Sequence, residues 1–200
     1  MKRRQSGEGI VYSTVEVKKW VEGVPGVEQV RPACCSRCGA ASRPLGAPLA
    51  LVGHGLRDRQ VRGPAEVTDE PEIRLLWVRR YRCLRCGGLT TVLPRGLCAR
   101  RHYSASAIGL SLCLFGLLRL SLMETRRRVC PWRVASESWT TLSGWLRAIG
   151  EGRLLSRVRT SPSSFTLRKQ AERAAATLCS LTLERGSLEV QAFEGAALAA

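Results

Sequence analysis

The chain has 200 residues, of which 44% are hydrophobic, enough to bury one or two small cores. Its formal net charge of +16 is more than solubility needs and draws polyanions: DNA, RNA or an anionic membrane surface. The N-terminus has a basic start but no apolar stretch of the signal-peptide kind, and the longest apolar run, residues 105–118, is shorter than the ~20 residues a bilayer span takes, so exported and membrane-spanning classes are not expected.

The charge is unevenly placed. Residues 1–73 carry a balance of +2, residues 74–173 one of +16, and residues 174–200 one of −2. Of the 32 basic residues, 28 are Arg, whose planar fork suits phosphates and guanine edges. A GC-rich genome would account for Arg over Lys, but not for so few acids beside them. The nine cysteines are an odd number, against a simple disulfide framework and in favour of a cytoplasmic chain with reduced thiols.

In chain order, residues 1–30 form an N-terminal segment of uncertain structure. Residues 31–96 follow as a first domain opened by "CCSRCGA" and closed by "YRCLRCGG", with Pro94 and Gly96 marking the joint to the next part. Each Cys-x-x-Cys-Gly phrase can grip one ion from a tight turn, with the glycine supplying the backbone angles that such a turn needs. Cys35, Cys38, Cys83 and Cys86 together give a closed four-sulfur site, expected to hold a structural Zn²⁺. Redox thiols are the weaker reading, because no thioredoxin-like βαβ pattern surrounds them. Cys34 ranks second to Cys35 as a ligand, and His54 reads as a solvated loop residue. The 44 residues between the two halves read as strands, with turn glycines at 53, 55 and 63 and a β-rich "IRLLWVRRYRC". The expected architecture is α+β: a zinc ribbon with a small antiparallel sheet, then a small helical domain resembling a helix-turn-helix.

Residues 97–152 carry the three helices of that second domain. Ser104 caps the first, with Ile108, Leu112 and Phe115 on one face and Cys113 as a buried, inert thiol. "SLME" fits a capping box from Ser121 to Glu124 and starts a short helix to about Val129, carrying Arg126, Arg127 and Arg128 and ended by Pro131. The third, "SWTTLSGWLRAIGEG", is capped by Ser138 and stopped by Gly150, with Trp139, Leu142, Leu146 and Ile149 inward. Thr140, Ser143, Gly144 and Arg147 gather on its other face, where small and hydroxyl side chains with one arginine let a helix lie close to DNA. About eight residues separate the second and third helices, more than the 3–4 of a standard helix-turn-helix.

Residues 153–200 hold a last helix, 165–181, followed by a flexible tail "EGAALAA". The stripe Leu167, Ala171, Ala174, Leu178, Leu181 suits packing on the domain, or pairing two chains as a homodimer.

The order of these parts resembles the N-terminal zinc-binding and helix-turn-helix regions of bacterial insertion-sequence transposases, and small transposon-associated proteins built from the same parts. The likeness covers roughly residues 30–150. It rests on "CSRCG", "YRCLRCGG", "LPRG…RRHYS" and "WTTLSGW", the last similar to the T-x-x-R-W recognition helix of such regions, with Gly144 where an Arg is common. The resemblance implies binding to duplex DNA without catalysis; a separate transposase catalytic subunit is a further candidate partner. Arg79, Arg80, Arg82, Arg100, Arg101, Arg126, Arg127 and Arg128 are the candidate phosphate contacts, with Thr140, Ser143 and Arg147 on the recognition helix. No catalytic residues are expected. Only Asp58 and Asp69 are aspartates, and none of the fourteen glutamates lies in a partner motif for a metal-binding acidic triad. His54 and His102 lie far apart, and no phosphate-binding glycine loop occurs. Tyr103, beside Arg100, Arg101 and His102, lacks the further Arg and His residues that a tyrosine recombinase needs. The expected setting is cytoplasmic and nucleoid-associated. An RNA-binding ribbon protein and an adaptor for a catalytic subunit are the alternatives. Single-stranded RNA readers stack bases on exposed aromatics, which make up only 6% of this chain.

Overall fold

Strand-forming residues dominate the first half of the chain and helix-capping signals the second, and the computed structural model follows that division. It describes residues 9–132, 139–159, 161–162 and 164–200. Two units are distinguished: residues 1–59 with 75–95, and residues 60–74 with 96–200.

The first unit is built on a four-stranded sheet. Its strands are β1 (Gly9–Glu16), β2 (Leu51–Gly63), β3 (Glu72–Cys83) and β4 (Leu89–Arg95), in the order β1-β4-β3-β2. The ends of β2 and β3 nearest their connection fall in the second unit. β3 and β4 pair antiparallel, with Arg79 opposite Val92 and Tyr81 opposite Thr90. β1 runs parallel to β4, with Gly9 opposite Thr90 and Tyr12 opposite Leu93. The sheet is therefore mixed, not the purely antiparallel one expected, and residues 1–30 supply one of its strands. "GIVYSTVE" is rich in Ile, Val, Tyr and Thr, and its second half alternates half-buried and exposed residues as a strand does. The β1 register shifts between Tyr12 and Glu16, beside Pro94, which has no N–H to give to a ladder.

A short helix, α1 (Val17–Glu22), and the loop after it cover one face of β3. Trp20 is 1% exposed and donates its Nε1–H to the Trp77 carbonyl at 2.8 Å. Tyr81, fully buried, donates its hydroxyl to the Val27 carbonyl at 2.6 Å, and Arg31 stacks 5.5 Å from its ring centroid. Both aromatics thus bury large apolar surface while their polar atoms stay paired.

The second unit is helical among the described residues. Its helices are α2 (Ala105–Leu112), α3 (Leu122–Val129), α4 (Thr140–Gly150), α5 (Leu167–Cys179) and α6 (Leu188–Ala199). The expected caps on α2 and α3 are present. Ser104 accepts from the Ala107 N–H at 3.0 Å, and Ser121 and Glu124 close a reciprocal capping box. α2 buries Ala105 and every residue from Ala107 to Leu112, so it is the centre of the core, not a helix with a single apolar face. It runs on into a π-helical turn, Cys113–Leu117, closed by the Leu118 N–H on the Cys113 carbonyl at 3.0 Å. Arg168 from α5 donates to the Phe115 and Leu120 carbonyls and stacks 4.2 Å from the Phe115 centroid. It supplies partners for carbonyls that the end of a helix leaves open.

The tail expected to be flexible is instead helical, forming the second half of α6. Ser187 caps it by accepting from the Val190 N–H, and Phe193, Ala192, Ala196 and Ala199 are buried. Small residues let α6 lie against its neighbours: a Cβ on Gly109 would overlap the Ala192 carbonyl, and one on Gly195 the Leu178 carbonyl. The α5 stripe is used in the same core, with Ala171, Ala174 and Leu178 buried. In α4, Leu142, Leu146 and Ile149 enter the core, and Trp145 stands edge-on to Tyr103 and Trp139 at 5.0 and 5.3 Å. The expected cap, Ser138, and most of the segment before α4 lie outside the described residues. Gly150 ends α4, and Gly152 takes the left-handed turn two residues later.

Candidate metal centre

The two Cys-x-x-Cys-Gly phrases fold into near copies of one turn. In the first, the Cys35 N–H donates to the Ala40 carbonyl at 2.8 Å and the Gly39 N–H returns to the Cys35 carbonyl at 3.0 Å. In the second, the Cys83 N–H donates to the Gly88 carbonyl at 2.9 Å and the Gly87 N–H to the Cys83 carbonyl at 2.8 Å. Gly39 and Gly87 have φ of +69° and +68°, the left-handed conformation that a side chain would strain.

The turns are held to the sheet and to each other. Ser36 Oγ lies 2.9 Å from Thr90 Oγ1, and a Cβ on Gly9 would overlap the Ser36 hydroxyl, so β1 needs glycine there. Backbone bonds run from one turn to the other: Ser42 N–H to Ala33, Ala50 N–H to Ser42, and Leu84 N–H to Ala50, all at 2.8–2.9 Å.

Four sulfurs converge as a result. Those of Cys35, Cys38, Cys83 and Cys86 all lie within 4.8 Å of one another. Cys35 Sγ is 3.8 Å from Cys86 Sγ, and Cys38 Sγ is 3.7 Å from Cys83 Sγ. A tetrahedral ion with ~2.3 Å metal–sulfur bonds requires sulfur–sulfur edges of about 3.8 Å, so the cluster can hold a metal ion with little rearrangement. The Arg37 and Gly88 N–H groups each sit 3.4 Å from a sulfur, that of Cys35 and of Cys86, and favour its thiolate form.

The thiols compete for protons. Burial opposes the Cys35 thiolate, but the Cys38 and Arg37 N–H groups and the Cys38 and Cys83 side chains outweigh it and bring Cys35 down to about 7. The Gly88 N–H favours the Cys86 thiolate, yet burial and the other three sulfurs push it up to about 11. Four thiolates this close are stable together only around a cation. Cys34 is exposed and outside the cluster, and His54 is exposed on β2. Gly88 is a member that the cysteine spacing alone did not single out. A Cβ there would stand 2.9 Å from Arg37 Cδ and 3.2 Å from Cys86 Sγ.

The candidate nucleic-acid contacts are spread over both units. On β3, Arg82 is exposed, Arg80 is half-buried, and Arg79 donates its Nε–H to the Pro25 carbonyl. In the second unit, Arg100 is exposed with φ +59°, and Arg101 is half-buried. Arg126 is half-buried. Arg127 is exposed and lies 3.7 Å from Met123 Sδ, and Arg128 pairs with Glu189 at 3.5 Å. Thr140 and Arg147 are exposed on α4 with Ser143 and Gly144 half-exposed between them, and Ser143 donates its hydroxyl to the Thr140 carbonyl at 2.8 Å. Tyr103 is no nucleophile in waiting: burial first, then a bond with Cys130, drives its hydroxyl well above the usual tyrosine range. Cys113, pushed up to about 12 by burial, is equally inert. No helix among the described residues is long and apolar enough to cross a membrane.

No known protein family matches this chain, and neither does any curated protein or solved structure.

Proposed function

We propose that the chain is a non-catalytic zinc protein that binds duplex DNA, of the kind associated with insertion sequences and transposons. Zinc is the ion best suited to four thiolates in a closed tetrahedron, since no oxygen or nitrogen donor completes the set and no position is left open for chemistry. Its role is structural: it fastens two turns that are distant in sequence. The first unit then acts as a zinc ribbon, and α2 to α4 act as a helix-turn-helix-like reader in the reduced cytoplasm, on the nucleoid.

The observation that carries the reading is the outward face of α4. Thr140, Ser143, Gly144 and Arg147 line it, no acid interrupts it, and a Cβ on Gly144 would meet nothing within 4 Å. Such a face can approach a duplex closely and present hydroxyls and one guanidinium to a groove. It belongs to the stretch that holds the whole positive excess, where exposed Arg82, Arg100 and Arg127 are available for phosphates. Arg79 and Arg128 are partly committed to internal partners and contribute less. A separate transposase subunit is the protein partner this reading implies.

Metal analysis and gel shifts test it together. The expected results are one zinc per chain, and duplex binding whose logarithm falls with log salt at a slope near −0.9 per phosphate contacted, about −3 or steeper for three or more contacts. Salt-insensitive binding, or a clear preference for structured RNA over duplex DNA of equal length, would overturn the DNA reading.

A further inference from the structure

Arg62 and Trp132 lie outside every contact considered so far. Arg62 sits at the end of β2, its guanidinium 4.5 Å from the centroid of the Trp132 ring. Its backbone is held on both sides, with its N–H on the His102 carbonyl at 2.8 Å and its carbonyl accepting from Ser104 at 3.1 Å. Its Nη2 donates to Gln60 Oε1 at 3.0 Å. The guanidinium is thus held by Gln60 on one side and rests against the indole on the other. Trp132 follows the end of α3 and the arginines at 126, 127 and 128, and it remains 42% exposed. Trp139 and Trp145 in the same unit are buried.

We propose that Arg62 and Trp132 form a stacking contact for an unpaired base at a junction of duplex and single-stranded DNA. An exposed indole with a guanidinium against it offers a π-surface to any base and a positive charge to the adjoining phosphate. Paired bases have their faces covered by their stacked neighbours and their partners hold them in the helix, so the ring takes an unpaired base from a tail, gap or displaced strand. A protein partner would more commonly meet an apolar patch, whereas this ring has the Arg62 guanidinium against it. The inference rests on the DNA reading above and adds to it a preference for DNA with a single-stranded tail.

The test compares blunt duplex with the same duplex carrying a short single-stranded tail, at one salt concentration, for wild type, Trp132→Ala and Trp132→Phe. One base stacked on an aromatic ring corresponds to roughly a 5- to 150-fold change in affinity. Trp132→Ala is expected to lose about that factor on tailed duplex while staying within about twofold of wild type on blunt duplex. Trp132→Phe, which keeps a ring, should retain most of the tailed-duplex affinity. Trp132→Ala is expected to fold, because Trp132 is not a member of the helical core, and its melting curve checks this. If the alanine variant binds both DNAs as wild type does, or loses affinity equally for both, the stacking contact is wrong while duplex binding stands. If the wild type binds neither DNA, the DNA reading fails first and the stacking contact with it.

Discussion

If the four sulfurs hold an ion, replacing Cys86 with serine, or treating the protein with a chelator, should remove the fastening between two turns that lie 44 residues apart, counted between Cys38 and Cys83. Treated as a cross-link, closing a loop of that length takes about 13 cal/mol/K from the unfolded chain, or about 4 kcal/mol at 25 °C. The sheet unit comprises residues 1–59 and 75–95, a size at which 1 kcal/mol moves the melting temperature by about 4–8 °C. The expected loss is therefore roughly 15–30 °C for the sheet. Amide exchange locates the effect. Thr90, Thr91, Val92 and Leu93 on the central strand should lose protection on metal removal, while Ile108, Leu110 and Leu112 on α2 keep theirs. Cys34→Ser is the control: its sulfur lies outside the cluster, so metal content and melting should match wild type. A chelated protein whose sheet melts within a degree or two of the untreated one would refute the argument. So would a Cys34→Ser variant that behaves like Cys86→Ser.

Arg147→Ala should weaken duplex binding and reduce the magnitude of the salt slope by about 0.9 if the guanidinium contacts one phosphate, as read from gel shifts over a salt series. Gly195→Ala forces a methyl against the Leu178 carbonyl and should destabilise the helical unit by about 1–3 kcal/mol in urea unfolding. The Glu124 carboxyl is held below its ordinary value of 4.5, chiefly by the Ser121 hydroxyl and then by the Ser121 N–H. A depressed carboxyl stabilises above its unfolded value and loses that contribution as pH falls through the folded one. Protection of the first-turn amides of α3, measured against their intrinsic exchange rates, should therefore fall below about pH 4.5 in the wild type, and Glu124→Gln should flatten the dependence. Metal loading should fall with acidification, because protons compete for the same sulfurs, and a titration with the ion at several pH values checks it.

The metal centre was legible because its signals are local. Two residues between cysteines and a glycine behind them specify a turn whatever surrounds it, and only the meeting of the halves is long-range. The caps at Ser104 and Ser121 were readable for the same reason, each being settled within four residues. β1 was not, because the partner of Gly9 is Thr90 and nothing near residue 9 announces a parallel neighbour so far along the chain. α6 was hidden differently. Its packing depends on what Gly109, Ala192, Gly195 and Ala196 lack, and absent side chains leave no hydrophobic period to detect. α2 misled in the opposite sense: a helix buried on nearly every side has little amphipathic pattern, and picking one face understated its place at the centre of the core. Among the candidate phosphate contacts, the sequence could not distinguish Arg82, which is exposed, from Arg79, whose guanidinium is tied to Pro25.

Because β1 docks in parallel beside β4, the earliest synthesised of these four strands has to wait for the latest before it can join the sheet. The hairpin of β2 and β3, with β4 folded back on it, can assemble from neighbours as synthesis proceeds, but its β4 border stays unprotected until residues 9–16 arrive. A nascent chain stalled or cut before β1 has docked offers that bare border to any passing strand, its own or a neighbour's. Misassembly in this protein should therefore begin at β4, and a strand-breaking proline at Val11 should increase aggregation during refolding more than it alters the helical unit.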